Sequence, residues 1–238
     1  MQMEPTDLVV IGGGPAGLMC AYQAAKRGVK VVLLDPNDRL GRKLRITGKG
    51  RCNLTNNCDI KTVMANIPGE GRFLYSALNR FSPADTMAFF EENGLPLKTE
   101  RGNRVFPQSD NANDVADTMA RLCRRAGVRN VKTTAKQIIA ENGAVAGVVT
   151  GEGFIPCRAA AVCTGGLSYP ATGSTGDGYA LARSAGHTVR EPYASLVPWE
   201  AEPVCARMQG LSLRNLLFVS TNGLLAKMIH VILSYRYS

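Results

Sequence analysis

The chain begins its regular pattern with a short β-branched run, Leu8–Ile11, that meets a cluster of glycines at Gly12. A brief apolar run bounded by a turn signal predicts a buried strand of a parallel sheet. Pro15–Lys26 follows as a predicted helix, with proline near its first turn and Gly28 as its stop. Lys30–Leu34 is a second apolar run ending at Asp35, which closes a βαβ unit of about 30 residues. The periodicity then fades: Asn37–Cys58 is rich in Gly, Arg, Lys and Asn and predicts a long ordered loop. Helices are predicted over Gly71–Arg80 and over Pro83–Glu92, the second capped by Ser82 and stopped by Gly94. Leu97–Phe106 reads as a hairpin turning at Gly102-Asn103. Asp114–Ala126 sets Val115, Met119, Leu122 and Cys123 on one helical face, and Gly127 ends it.

Beyond this point Val131–Ile139, Val145–Val149 and Phe154–Arg158 predict a small antiparallel meander, with turns near Asn142-Gly143 and Gly151–Gly153. Ala159–Cys163 is then a separate apolar strand running into Thr164-Gly165-Gly166, and Asp177–Ser184 is a short helix stopped at Gly186. After Glu191 the pattern becomes short strands and turns, Leu196–Glu200 and Leu216–Ser220. Lys227–Ser238 is basic and apolar without a clear turn or cap. The alternation of apolar strands with helices predicts an α/β chain built on a doubly wound sheet.

Composition narrows the class. At 238 residues, 45% hydrophobic and 20% charged, the chain is neither disordered nor fibrous. No run approaches the ~18 apolar residues of a membrane helix. The start, MQMEPTD, lacks the basic region of a signal peptide. Seven cysteines with no CxxC pair, and only two histidines, argue against zinc and against a disulfide framework. Reduced thiols in a cytoplasmic protein are the simplest expectation.

The net charge is +9, and six basic residues with no acidic one lie between Arg39 and Arg51. Such a run suits nucleic acid, an anionic membrane surface or an anionic ligand. A nucleic-acid surface would interleave aromatics for stacking, and the loop Gly41–Asn56 has none. A multiply charged small molecule is therefore the expected ligand, with no nucleic acid or membrane partner.

The chemistry begins at Gly12-x-Gly14-x-x-Gly17, which leaves a strand and opens a helix. The first glycine permits the turn, the second lets backbone approach a pyrophosphate, and the third packs helix on strand. The helix N-terminus adds unpaired amides and the positive end of a dipole. Asp35, 18 residues after Gly17, can accept hydrogen bonds from a ribose and disfavours a 2′-phosphate. The pattern does not separate NAD from FAD. Thr164-Gly165-Gly166 also leaves the C-terminal end of an apolar strand. In a doubly wound sheet such ends share one crevice, so both glycine loops are expected at one ligand.

Four segments together, DLVVIGGGPAG, GRKLRITGKGRCNLTN, RVFPQSDNANDV and CTGGLSYPATGSTGDGYALARSAGH, resemble the BaiN-like family of bacterial NAD(P)/FAD-dependent oxidoreductases, which includes aminoacetone-oxidase-type flavoproteins. The resemblance covers about residues 6 to 220. It implies non-covalent FAD, with NAD(P)H as a candidate electron donor. It implies that Gly12, Gly14, Pro15, Ala16 and Gly17 contact the FAD pyrophosphate and that Asp35 holds the adenosine ribose. Arg42 and Lys43 would lie beside the cofactor, Gly50, Arg51, Cys52 and Asn53 near the flavin, and Thr164 and Gly165 over it. A strand after the amphipathic helix would touch adenine through its backbone, and Lys136 is the positional choice.

The resemblance also implies a Rossmann-like FAD domain over residues 1–191, and the start of a β-rich insert domain over 192–238. The family's return segment is missing after the insert, so the chain reads as an N-terminal portion whose strands near Leu196 and Leu216 lack partners. Weak FAD binding or poor stability is the expected consequence. A small-molecule substrate is expected, and oxidase or reductase activity stays open, as does a non-catalytic flavin-binding fragment. No catalytic acid or base stands out, because a flavin carries the hydride chemistry itself. Cys52 is expected to be a packed cysteine rather than a redox thiol, and His187 to cap or pack at a helix end.

Overall fold

The structure, a computed structural model, describes residues 4–69 and 71–192, together with the backbone of strands 212–219 and 225–232. The chain divides into two compact units, residues 1–189 and 190–238.

In the first unit, β1 (Thr6–Ile11), α1 (Pro15–Ala25) and β2 (Val31–Leu34) form the opening βαβ unit. The basic segment then carries a helical turn, α2 (Thr47–Gly50), and a two-residue strand, β3 (Thr55–Asn56). Next come α3 (Ile60–Ala65), α4 (Tyr75–Arg80) and α5 (Pro83–Glu92). The hairpin β4 (Leu97–Glu100) and β5 (Arg104–Pro107) leads to α6 (Ala112–Arg125). Four strands follow, β6 (Arg129–Val131), β7 (Ala135–Glu141), β8 (Ala144–Thr150) and β9 (Gly153–Val162), and then α7 (Asp177–Ser184).

Strand order in the main sheet is β6-β2-β1-β9-β8-β7. The first four strands are parallel, with Val9 opposite Val32 and Ala160 and Leu34 opposite Val131. The last three pair antiparallel. Alternation along the central strands sends side chains to opposite faces. Val10, Val31 and Leu33 pack with Leu18 of α1 and Val115, Met119 and Leu122 of α6. Val9, Ile11, Val32 and Leu34 pack instead with Ala135, Val148 and Ile155 of the meander. The parallel sheet is thus a middle layer with both faces covered, which is why its strands read as unbroken apolar runs. Each fully buried Leu or Val here contributes about 1.5–3 kcal/mol.

Several sequence expectations change in detail. The predicted first meander strand is two strands: β6 extends the parallel sheet beside β2, and β7 starts the antiparallel part. The predicted Phe154–Arg158 and Ala159–Cys163 strands are one, β9, which pairs with β8 through Pro156 and with β1 from Cys157 onward. Asn37–Cys58 is not free of regular structure, since β3 joins β5 and β4 in a three-stranded sheet.

In the second unit β10 (Ser212–Val219) pairs antiparallel with β11 (Leu225–Ile232). The strand near Leu216 therefore has a partner, drawn from the segment in which no element was expected. The expected strand at Leu196–Glu200 lies outside the described residues.

α5 starts with a full capping box: Ser82 Oγ accepts the Asp85 N–H at 3.1 Å, and Asp85 Oδ2 accepts the Ser82 N–H at 2.8 Å. Replacing Ser82 by Ala is expected to lower stability by about 1 kcal/mol, read as a lower midpoint in urea unfolding with an unchanged slope.

Candidate functional site

The C-terminal end of β1 hands the chain to Gly12 at φ +105°, a backbone conformation that side chains rarely adopt. A Cβ there would lie 2.5 Å from the Cys163 carbonyl oxygen at the end of β9. A Cβ on Gly17 would overlap the Gly12 carbonyl and stand 3.3 Å from Cys163 Cβ. Glycine at both positions lets the first turn of α1 rest directly on β1 and β9. Gly14, the N-cap, has an ordinary extended backbone (φ −74°, ψ −178°). Nothing lies within 4 Å of a Cβ built on it, so its missing side chain leaves open space.

α1 has no side-chain cap and no acidic residue in its first turn. Pro15 contributes no N–H, and the amides of Ala16 and Gly17 have no acceptor within the helix. Pro15 and Ala16 are exposed. Unpaired donors, a positive dipole end and a backbone that can be approached closely are the features an anion site requires.

Asp35 sits at the end of β2 and is 8% exposed. Its Oδ2 accepts the Gly13 N–H at 2.7 Å, and its Oδ1 accepts Asn37 N–H and Nδ2 at 2.9 and 2.8 Å. The carboxylate is thereby fixed beside the glycine turn, with lone pairs left for a hydroxyl. Gly41 N–H donates to the Gly13 carbonyl at 2.8 Å, which docks the basic segment onto the same turn. Arg42 Nη1 donates to Asn37 Oδ1 at 3.0 Å.

The glycine-rich segment after β9 forms an arch over this region. Its near end is Cys163, whose N–H donates to the Ile11 carbonyl at 2.7 Å. Lys43 Nζ donates to the Ser168 carbonyl at 3.1 Å and to Ser168 Oγ at 3.0 Å. At the far end Gly173 lies against Asn37 Nδ2, 3.4 Å from a Cβ built on it. Gly165 packs on Ser174, with Oγ 2.9 Å from its Cβ position. Thr164 Oγ1 is buried without a hydrogen-bond partner, a case found nowhere else among the described residues. The arch therefore starts at Gly12 and comes down at the partner of Asp35.

Gly12, Gly14, Pro15, Ala16, Gly17, Asp35, Arg42, Lys43, Thr164 and Gly165 are brought together in this way. The stretch Gly50 to Asn53 follows a left-handed turn through Gly48, Lys49 and Gly50, at φ 55°, 59° and 81°. Cys52 is also left-handed at φ 59° and is 2% exposed. Strain of this kind costs roughly 1–3 kcal/mol per residue and collects at functional sites. Burial pushes the Cys52 thiol up, so it is a packed cysteine and a poor thiolate. Burial likewise pushes Cys163 up to about 11.

Arg51 is committed to the β4–β5 hairpin. Its guanidinium pairs with Glu100 and with Asp110, and lies 4.2 Å from the centroid of the Phe106 ring. It fastens the loop and does not stand free. Asn53 is exposed. Lys136 is exposed on β7, beside Ala135, which is buried in one cluster with Leu34, the residue before Asp35. His187 closes the end of α7 through its N–H to the Ala182 carbonyl at 3.0 Å. Sequence reasoning missed Asn37 and Ser168, which join the pieces. Asn37 had a usable signal, since Asn two residues after a carboxylate is a common local hydrogen-bonding arrangement.

A parallel sheet with a Gly-x-Gly-x-x-Gly turn, an acid at the second strand's end and a meander on one face defines the class: an α/β domain of Rossmann type. The chain belongs to the HI0933-like protein Rossmann domain family, which matches residues 6–229. It is 34% identical over 194 residues to a 3-dehydro-bile acid delta(4,6)-reductase of Clostridium scindens, covering 79% of this chain and 46% of that protein. It is 30% identical over 216 residues to a ribosomal RNA dihydrouridine synthase of Haemophilus influenzae, covering 87% and 53%. The chain thus spans about half the length of these relatives. Among solved structures, a 3-ketosteroid-delta4-(5alpha)-dehydrogenase of Rhodococcus jostii shares the fold at TM-score 0.56 and 17% identity, covering 71% of this chain and 47% of that one. A flavocytochrome c3 fumarate reductase does so at TM-score 0.54 and 20% identity, covering 76% and 40%. Among the described residues no helix is long and apolar enough to cross a membrane.

Arg51 holds the Glu100 carboxyl below its ordinary range, and Lys98 and Arg51 do the same to Asp110. Unfolding restores the ordinary values, so the network's stabilisation is present above about pH 4 and is lost as pH falls through the lowered folded-state values. Arg51→Met is therefore expected to lower the melting temperature at neutral pH and to flatten its decline on acidification, measured by thermal melts across that range.

Proposed function

We propose that the chain is the FAD-binding part of a flavin-dependent oxidoreductase that saturates a carbon–carbon double bond conjugated to a carbonyl. The observation that carries the cofactor assignment is the open cradle at Gly14 before an uncapped α1, with Asp35 fixed beside it. The residues fit the group. The Ala16 and Gly17 amides would hold the diphosphate, with the helix dipole contributing ~0.3–1 kcal/mol. Asp35 would accept the adenosine ribose hydroxyls, and the backbone beside Lys136 would meet adenine. Arg42 and Lys43 would offset the diphosphate charge. Thr164 Oγ1 is buried and unpaired against Gly178 at the start of α7, so Thr164 would line the site through its backbone. Gly50, Arg51, Cys52 and Asn53 would shape the flavin end through the left-handed turn that positions them.

What the bound cofactor supplies is two-electron hydride chemistry between NAD(P)H, or an organic donor, and an organic acceptor or oxygen. The substrate class is supported by the relatives. A 3-dehydro delta(4,6) bile acid and the uracil ring behind dihydrouridine both carry an alkene conjugated to a carbonyl. The part of such a protein that this chain does not span would supply the substrate side. A cytoplasmic location belongs to this reading, supported by seven cysteines with no CxxC pair.

A second reading concerns the substrate's carrier. Phe73 and Tyr75 are exposed beside Arg72 and near Arg80, a pairing of aromatic and basic groups that suits an RNA strand. With a net charge of +9 it favours a base held in RNA over a free small molecule. Steep loss of RNA binding with rising salt would support that carrier, and no measurable RNA binding at low salt would exclude it.

The cofactor assignment is tested by flavin absorbance and fluorescence titration of the purified chain. FAD binding is expected at one site. A Cβ on Gly14 meets open space, so Gly14→Leu reaches into the cradle: it should weaken FAD at least tenfold, about 1.4 kcal/mol, while the cofactor-free protein loses no more than the roughly 1 kcal/mol of a poorer N-cap. Equal affinity in wild type and Gly14→Leu would overturn it.

A further inference from the structure

The arch between Gly12 and Asn37 carries a residue that the site as described does not use. Tyr169 lies within it, between Ser168 and Pro170, in a left-handed backbone conformation (φ 55°, ψ 62°). A large side chain there is strained, and the following Pro170 disfavours a helical-type backbone at position 169 still further. The surroundings nonetheless over-determine it. The preceding carbonyl, of Ser168, is held by Lys43 Nζ. The carbonyl of Tyr169 itself accepts Thr172 N–H at 2.9 Å and Thr172 Oγ1 at 2.7 Å. The ring receives no matching burial, since Tyr169 is 67% exposed.

Strain that is held from both sides, with an aromatic ring left in solvent, gives the fold nothing in return. Glycine or asparagine would make the same turn more cheaply. The arch around it is anchored at Gly12 on one side and, through Asn37, at Asp35 on the other. A flat ring, exposed on a segment that is anchored both at the glycine turn and at the partner of Asp35, is suited to stacking on another flat ring.

We propose that Tyr169 is a stacking contact for a ring system of the bound dinucleotide, and that Lys43, through Ser168, positions it. The inference rests on the FAD reading above. FAD offers two such rings, adenine and isoalloxazine, and both present the same π face.

The test uses the full chain as wild type, Tyr169→Phe, Tyr169→Ala and Tyr169→Gly. Each is titrated with FAD, with ADP for the adenine half and with FMN for the flavin half, and each cofactor-free protein is melted. Tyr169→Phe should bind FAD within about twofold of wild type, because stacking needs the ring and not the hydroxyl. Tyr169→Ala should lose about tenfold. Tyr169→Gly should lose as much while its cofactor-free melting temperature equals or exceeds that of wild type, because glycine relieves the left-handed strain. A loss shared by ADP assigns the adenine ring, and a loss shared by FMN assigns the isoalloxazine. Equal FAD affinity across all four proteins overturns the inference while leaving the cofactor reading intact. A wild-type chain that binds none of the three probes overturns both.

Discussion

The close approach of α1 to the ends of β1 and β9 governs the rest of the site. Gly12 and Gly17 have no side chains because the Cys163 carbonyl, the Gly12 carbonyl and Cys163 Cβ fill the places where Cβ atoms would go. That contact fixes where the helix starts, and so where its unpaired amides point. Both faces of the sheet then hold it in place, since Leu18 of α1 is buried against Val10 and Leu33 on one side. Val9, Ile11 and Leu34 are locked under the meander on the other. A larger residue at position 17 would push the helix off the strands and move its unpaired amides with it.

From that fixed point the polar contacts spread outward in sequence-distant steps. Asp35 receives the Gly13 amide, Asn37 bonds to Asp35, Arg42 bonds to Asn37, and the far end of the arch lies on Asn37. Lys43 reaches across 125 residues to Ser168. Most of these groups are partly exposed, so individually they contribute little to stability. Their consequence is geometric: they set the width of the space between the glycine turn and the arch.

The opening βαβ unit and the amphipathic α6 were legible in the sequence because local rules and burial agree there. Leu8–Ile11 is apolar on both faces, and both faces are covered. Val115, Met119, Leu122 and Cys123 share the face that packs on the sheet. β9 was not legible as one strand, because it changes partners at Cys157 and both halves are apolar, so periodicity has nothing to register. The segment Asn37–Cys58 was misread as free of regular structure for a related reason. Its shape comes from left-handed backbone at Gly48, Lys49, Gly50 and Cys52 and from long-range pairs such as Arg45 with Asp117 and Arg51 with Glu100. The candidate site was legible where glycine spacing has a steric cause, at Gly12 and Gly17. It was not legible at Asn37 and Ser168, whose roles depend on the arch folding back.

On the function proposed above, the first-turn amides of α1 hold a cofactor's diphosphate. A crystal structure of the chain grown with FAD tests it most directly. The diphosphate oxygens should lie within hydrogen-bond distance of the Ala16 and Gly17 amides, with the ribose on Asp35. A well-ordered FAD whose diphosphate sits elsewhere, with those two amides facing solvent, would contradict it.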